Sequence, residues 1–303
     1  MQVLCSDKCD VIYPPLFNRI ILLVVPRDMV HFIRVAVGTL LAMFGNQPIA
    51  ECGTFFTERS FAFSKSLPEL GPECKRIYLL RHGETDWNKK GLVQGGGFDV
   101  PLNEKGLAQA RYVAEELSCV PLGVVASSHL ERASQTADAV KAGHPSAARL
   151  ILNNFGEMRF GELEGAAIHG PEATDHMKNI FRETNDRMAL DPSYRWPAGE
   201  SAAEVEHRAR EALSEVLNGH PDCRHVAVVA HGRTNKILLS SLLFGDATKI
   251  QPFKQGNTCI NVLDFDQINK TWSKVLLNYV EHNEDRGAES GGRDVKQVKM
   301  FPM

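Results

Sequence analysis

No apolar run in this chain reaches the ~18 uninterrupted residues that a helix needs to cross a bilayer. The two strongest runs, at residues 20–25 and 35–44, are interrupted by Pro26, Arg27, Asp28 and Arg34. A stable membrane span is therefore not expected. Basic excess is missing as well: 34 Lys and Arg stand against 37 Asp and Glu, a formal charge of −3. That balance argues against nucleic acid as a partner, because phosphate-backbone binding favours a basic stripe. The seven cysteines are odd in number and form no tandem Cys-x-x-Cys pairs, so neither structural zinc nor a disulfide framework is indicated and free thiols are expected. Internal repeats and long low-complexity tracts are absent too.

What remains has an ordinary globular composition, 43% apolar and 23% charged over 303 residues, enough for one large α/β domain with extensions or at most two domains. The first seventy or so residues stand apart. From Met29 they read as a short basic segment ending at Arg34, an apolar run, and then Pro48-Ile49-Ala50, in the manner of a signal sequence. Position 48 lacks the usual small residue. Thr54, Phe55, Phe56, Arg59 and Ser60 would suit a transit segment. The alternatives are an unstructured extension or a true start at Met29, and the compartment is accordingly cytoplasmic or organellar.

From Lys75 the pattern becomes regular. Ile77-Tyr78-Leu79-Leu80 is a short apolar run ending at a turn signal, as a buried strand would be. Asn103 can cap a helix from Glu104 to Leu117, with Leu107, Ala110, Val113, Ala114 and Leu117 at helical spacing. A strand over 122–126 precedes a helix over 130–141. Ser201 opens a long amphipathic helix that Gly219 and Pro221 end. Val226 to Ala230 is a third strand, followed by a loop and an apolar helix from about Lys236 to Phe244. Strands over 259–265 and 272–280 close the domain. This order predicts a three-layer α/β/α sandwich with a mostly parallel central sheet and a short helical cap. The domains are then an extension over 1–74, the α/β domain over 75–281, and a polar, Gly-rich disordered tail over 282–303.

Two strand ends share one form. Leu79-Leu80 runs into Arg81-His82-Gly83-Glu84-Thr85, and Val229-Ala230 runs into His231-Gly232-Arg233. Ligands of open α/β sheets bind outside the carboxyl ends of the strands, so each histidine sits where a site would be built, and each is followed by a glycine that permits close backbone approach. Paired histidines suggest a metal, but the neighbours are Arg81 and Arg233, not carboxylates or thiolates. Arginine's planar fork suits phosphate oxygens. A third segment, Ser127-Ser128-His129-Leu130-Glu131-Arg132, puts Arg132 in the first turn of a helix, a position that favours a bound anion.

Taken together, Arg81-His82-Gly83-Glu84-Thr85, Trp87-Asn88, Gln94-Gly95, Pro101-Leu102-Asn103, the Arg132 block, Glu157-Met158-Arg159-Phe160-Gly161 with Glu164-Gly165, and His231-Gly232 resemble the histidine phosphatase superfamily in its phosphoglycerate mutase-like branch. The resemblance covers residues 75–280. It implies that His82 is the nucleophile that becomes phosphohistidine, that Arg81, Arg132 and His231 hold the phosphoryl oxygens, and that Glu157 donates and accepts the proton. It places Gly83, Thr85, Asn88, Gln94, Gly95 and Gly232 around the substrate, and it requires no metal and no cofactor. The expected partner is a small phosphorylated metabolite.

Three departures stand out. The Gln94 to Asp99 loop is one residue longer than the common form. Leu163 replaces a frequent tryptophan. Arg233 stands where many relatives have a small residue, and is expected to point to solvent. Only about forty residues of mixed charge separate Glu157 from Gly199-Glu200, where mutases of this family carry a longer basic insertion. The reading that follows is a metal-independent phosphatase. A cofactor-dependent phosphoglycerate mutase, or a non-catalytic phospho-ligand-binding protein on the same scaffold, are the alternatives.

Overall fold

The computed structural model describes residues 9–12, 23–26, 58–168, 170 and 172–283. Near the start, β1 (Cys9–Ile12) and β2 (Leu23–Pro26) pair antiparallel, with Cys9 opposite Pro26. They belong to a unit of their own, residues 1–53, and the remaining chain forms a second compact unit. The targeting-like stretch from residue 29 to 57 and the tail from residue 284 lie outside the described residues.

The second unit is built on a six-stranded sheet. Its strands are β3 (Cys74–Arg81), β4 (Val124–Ser127), β5 (Ala148–Ile151), β6 (His225–Ala230), β7 (Ile260–Asp266) and β8 (Thr271–Tyr279), in the order β5-β4-β6-β3-β7-β8. The first four run parallel, and β7 and β8 close the sheet antiparallel. Helices cover both faces, which is why the central strands read as unbroken apolar runs. Ile77 and Leu79 of β3 join Val226, Val228 and Val124 on one face. Tyr78 and Leu80 join Ala227, Val229 and Val125 on the other.

On the first face lie α6 (Ala202–Gly219) and α7 (Gly232–Phe244), contributing Ala209, Leu213, Val216 and Leu238. The second face carries α1 (Glu58–Ser66), α3 (Glu104–Leu117) and α4 (Glu131–Ala142), through Phe63, Val113, Leu117, Ala137 and Val140. Each fully buried Val or Leu stabilises the fold by about 1.5–3 kcal/mol. Asn103 caps α3 by accepting from the Gly106 N–H, as its sequence position predicts. Ser201 and Glu204 form a complete capping box on α6. Lys75 is buried, and its ammonium donates to the carbonyls of His220, Pro221 and Cys223 where α6 ends. The positive charge complements the helix C-terminus. Arg76 and Asp264 form a two-pronged pair across β3 and β7, both bonds 2.7 Å.

Three expectations need correction. The extension expected over 1–74 does not run that far: α1 packs Phe63 into the second-face core and against Tyr279, ring centroids 5.1 Å apart. No loop separates β6 from its helix, because α7 starts at Gly232 with His231 as its N-cap. At the other end, residues 282 and 283 are not tail: Glu281–Asn283 is a 3-10 turn with His282 buried. The expected helical cap is a single helix, α5 (Asp175–Leu190), capped by Thr174. Its Met188 joins Trp196, Phe160, Met158 and Leu163 in a third apolar cluster over the sheet's carboxyl edge. Cys74, Cys119, Cys223 and Cys259 are free thiols.

Candidate active site

The strand order brings the motifs together. β4, β6 and β3 are neighbours and parallel, so their carboxyl ends lie side by side. Residues that follow these three strands must therefore converge. His82 follows β3, His231 follows β6, and Arg132 lies in the first turn of α4 beyond β4. The His82 and His231 ring centroids are 5.2 Å apart.

His82 is buried, and its Nδ1 lies 2.7 Å from the carbonyl oxygen of Gly83. A carbonyl only accepts, so Nδ1 carries the proton and Nε2 keeps its lone pair. Burial, and then the charges of Arg132 and Arg81, hold the imidazole's pKa well below its ordinary value. The same causes depress His231, and neither of its ring nitrogens has a hydrogen-bond partner.

Arg132 is fully buried. Its terminal nitrogens donate to the carbonyls of Phe98 (3.0 Å) and Gly95 (2.8 Å), and burial pushes its pKa down to about 10. Arg81 donates to the Gln255 carbonyl at 2.7 Å. The Nε of each arginine finds no acceptor. Leaving a buried cationic donor unmatched costs more than the 1–3 kcal/mol of a neutral group.

The Glu157 carboxylate is fixed at the start of α7. Oε1 accepts from the N–H of Met158 and from both the N–H and the hydroxyl of Thr234, and Oε2 accepts only from the Arg233 N–H at 3.1 Å. The loop bearing it is gripped by Arg208, which donates to the carbonyls of Asn154, Gly156 and Glu157 and pairs with Glu200. Sequence reasoning missed Arg208, Thr234, Lys236, Gln255 and Asn257, whose amide donates to the His82 carbonyl at 3.3 Å and to Asn88 Oδ1 at 3.2 Å. Of these, only Lys236 carried a signal, one helical turn beyond Arg233 on the same face.

A cavity of about 340 Å³ opens onto this cluster, lined by Arg81, His82, Asn88, Gln94, Gly95, Arg132, Glu157 and Gly232 among others. Two expected substrate contacts stand behind its wall. The Gly83 N–H donates to Thr136 Oγ1, and a Cβ there would lie 2.6 Å from the Gly106 carbonyl oxygen. Thr85 is buried, caps the short helix α2 (Asp86–Lys90) together with Asn88, and binds Gln94 through its hydroxyl. Both shape the site without facing it. Arg233 also departs from expectation. Instead of pointing to solvent, it lines the cavity, donates to Asn185 Oδ1 of α5 at 2.8 Å, and lies over the Phe160 ring. Beside it, Lys236 has its pKa lowered by burial and by the charges of Arg233 and Arg81.

The sequence pattern of the histidine phosphatase superfamily, branch 1, matches residues 77–279. The chain belongs to this superfamily. Among its relatives, the uncharacterized phosphatase PhoE of Bacillus subtilis is 28% identical over 189 residues, 62% of this chain and 88% of the relative. The probable phosphoglycerate mutase GpmB of Cronobacter sakazakii is 31% identical over 195 residues, 63% of this chain and 86% of the relative. The adenosylcobalamin/alpha-ribazole phosphatase of Salmonella typhimurium is 29% identical over 192 residues, covering 62% and 90%. In three dimensions, the mycobacterial glucosyl-3-phosphoglycerate phosphatase solved with VO3 superposes with a TM-score of 0.58 at 25% identity, covering 67% of this chain and 98% of that one. Histidine phosphatase superfamily relatives of both kinds, phosphatases and phosphoglycerate mutase-like proteins, transfer phosphoryl groups. This member is therefore a phosphoryl-transfer enzyme.

Proposed function

We propose that the chain hydrolyses a small phosphomonoester through a phosphohistidine on His82, without a metal. One observation carries the reading: the donors without a partner, Arg81 Nε, Arg132 Nε and the His231 ring, belong to the same buried cluster as the imidazole whose free nitrogen is Nε2. They are the donors that a transferring phosphoryl group, with charge spread over its equatorial oxygens, calls for.

In the first step His82 Nε2 attacks phosphorus, a P–N bond forms and the ester P–O bond breaks. Glu157 Oε2, the less encumbered oxygen, gives its proton to the departing alkoxide. In the second step water attacks phosphorus, Glu157 takes the water's proton, and the P–N bond breaks to release phosphate. Splitting the reaction lets one site serve both leaving group and water. The depressed pKa of His82 keeps the ring neutral and nucleophilic at neutral pH. Asn88, Gln94 and Gly95 would contact the substrate side, and Gly232 allows close approach beside Arg81.

The test is turnover of p-nitrophenyl phosphate with EDTA present, comparing the wild type with His82→Ala, together with rapid-quench trapping. The expected results are turnover by the wild type alone and an acid-labile, alkali-stable phosphoenzyme that vanishes in the variant. Label that persists without the imidazole overturns the mechanism. Assay of 3-phosphoglycerate with and without 2,3-bisphosphoglycerate separates hydrolysis from mutase action.

A further inference from the structure

The cavity wall holds more positive charge than one phosphate matches. Besides Arg81 and Arg132, it carries Arg233 and Lys236, and Glu157 is its one carboxylate. Neither Arg233 nor Lys236 has a carboxylate within ion-pairing distance among the described residues. Arg233 spends one donor on a neutral amide, Asn185 Oδ1, and leaves the rest of its fork unengaged. A phosphomonoester dianion at His82 offsets two of the four cations, so the second pair stays uncompensated when Glu157 holds its proton.

Their placement is specific. Both residues sit on the first turns of α7, one helical turn apart, so they present one face to the cavity. The Arg233 guanidinium is braced from two sides, by Asn185 of the cap helix and by the Phe160 ring, with its central carbon 5.7 Å from the ring centroid. Bracing of this kind pre-organises a fork for two-pronged contact with an oxyanion. Leu92, Val93, Ile168 and Phe181 line the same cavity and would enclose a compact apolar body.

We infer that Arg233 and Lys236 form a second anion subsite, and that the substrate is a phosphomonoester carrying a further negative group, a carboxylate, on its leaving-group side. The inference rests on the phosphatase reading for catalysis, but the subsite is a matter of binding.

The experiment compares 4-carboxyphenyl phosphate with 4-carbamoylphenyl phosphate, which have nearly the same shape and differ in charge. Wild-type kcat/KM should favour the carboxylate by about tenfold or more, the worth of one charged hydrogen bond. In Arg233→Gln, and further in Arg233→Gln/Lys236→Gln, the ratio should collapse towards one, mainly through KM. A wild-type ratio near one, which needs no variant to fold, overturns the subsite. So does a preference that survives the double substitution. If neither ester is hydrolysed, the catalytic reading fails, and calorimetry with the matching 4-carboxybenzyl and 4-carbamoylbenzyl phosphonates decides the subsite alone: tighter binding of the carboxylate supports it, equal binding ends it.

Discussion

Arg208 and Glu200 pair through two hydrogen bonds, 3.1 and 3.0 Å, while the same guanidinium holds three carbonyls of the loop that ends at Glu157. Both side chains are nearly shielded from solvent, 15% and 9% exposed, so the pair acts in a poorly screened setting. Arg208→Met should strand Glu200 and the three carbonyls. The expected stability loss is about 3–5 kcal/mol, as for breaking a buried pair, read by urea unfolding. In the folded fraction kcat should fall more than KM rises, because the proton donor loses its position. An unchanged kcat would show that the Glu157 loop holds itself.

Arg132 offers a sharper catalytic test. Arg132→Lys keeps a charge but not the planar fork, so it cannot hold the Phe98 and Gly95 carbonyls and a phosphoryl oxygen together. Turnover of p-nitrophenyl phosphate should drop by about 10²–10³, the usual loss for one transition-state donor. Recovery to within a few-fold of wild type would reduce Arg132 to a point charge.

Stability should depend on pH through the two buried imidazoles. His82 and His231 have depressed pKa values in the fold, so the unfolded chain binds protons first as pH falls below about 6.5. Above that value both states are neutral and nothing is lost. Below it, stability declines by at most about 1.4 kcal/mol per pH unit for each ring, until the folded-state pKa is reached. Thermal melts from pH 7.5 to 5.5 should therefore show a shallower decline in His82→Asn than in the wild type. Parallel curves would contradict the buried neutral state.

Gly161 meets two demands at once: its φ is +56°, and an added Cβ would lie 1.9 Å from the Pro197 carbonyl oxygen. Gly245 also has a positive φ, +66°, with nothing within 4 Å. Gly245→Ala should cost about 1–2 kcal/mol of backbone strain. Gly161→Ala should add about 1–3 kcal/mol for the clash, visible as a lower urea midpoint at unchanged slope.

The parts of the site that local order dictates were legible in the sequence. His82, His231 and Arg132 each lie just beyond an apolar strand, and parallel neighbours force such residues into one place. The Asn103 and Ser201 caps were legible for the same local reason. What escaped is what partners far away in the chain decide. Arg233 turns inward because Asn185, 48 positions earlier, meets it, and nothing near position 233 announces that. Glu157 is held by Thr234, 77 positions later. Helix α1 went unread because its nine residues carry their apolar side chains side by side at 61–63, too short a pattern for a helical periodicity to appear, although the Phe63 ring reaches the core.

That single ring sets a limit on how the chain can be trimmed. A cut after residue 66 would unplug the pocket beside Tyr279 and leave an oily notch open to water, shortening the protein's lifetime while leaving every catalytic group in place.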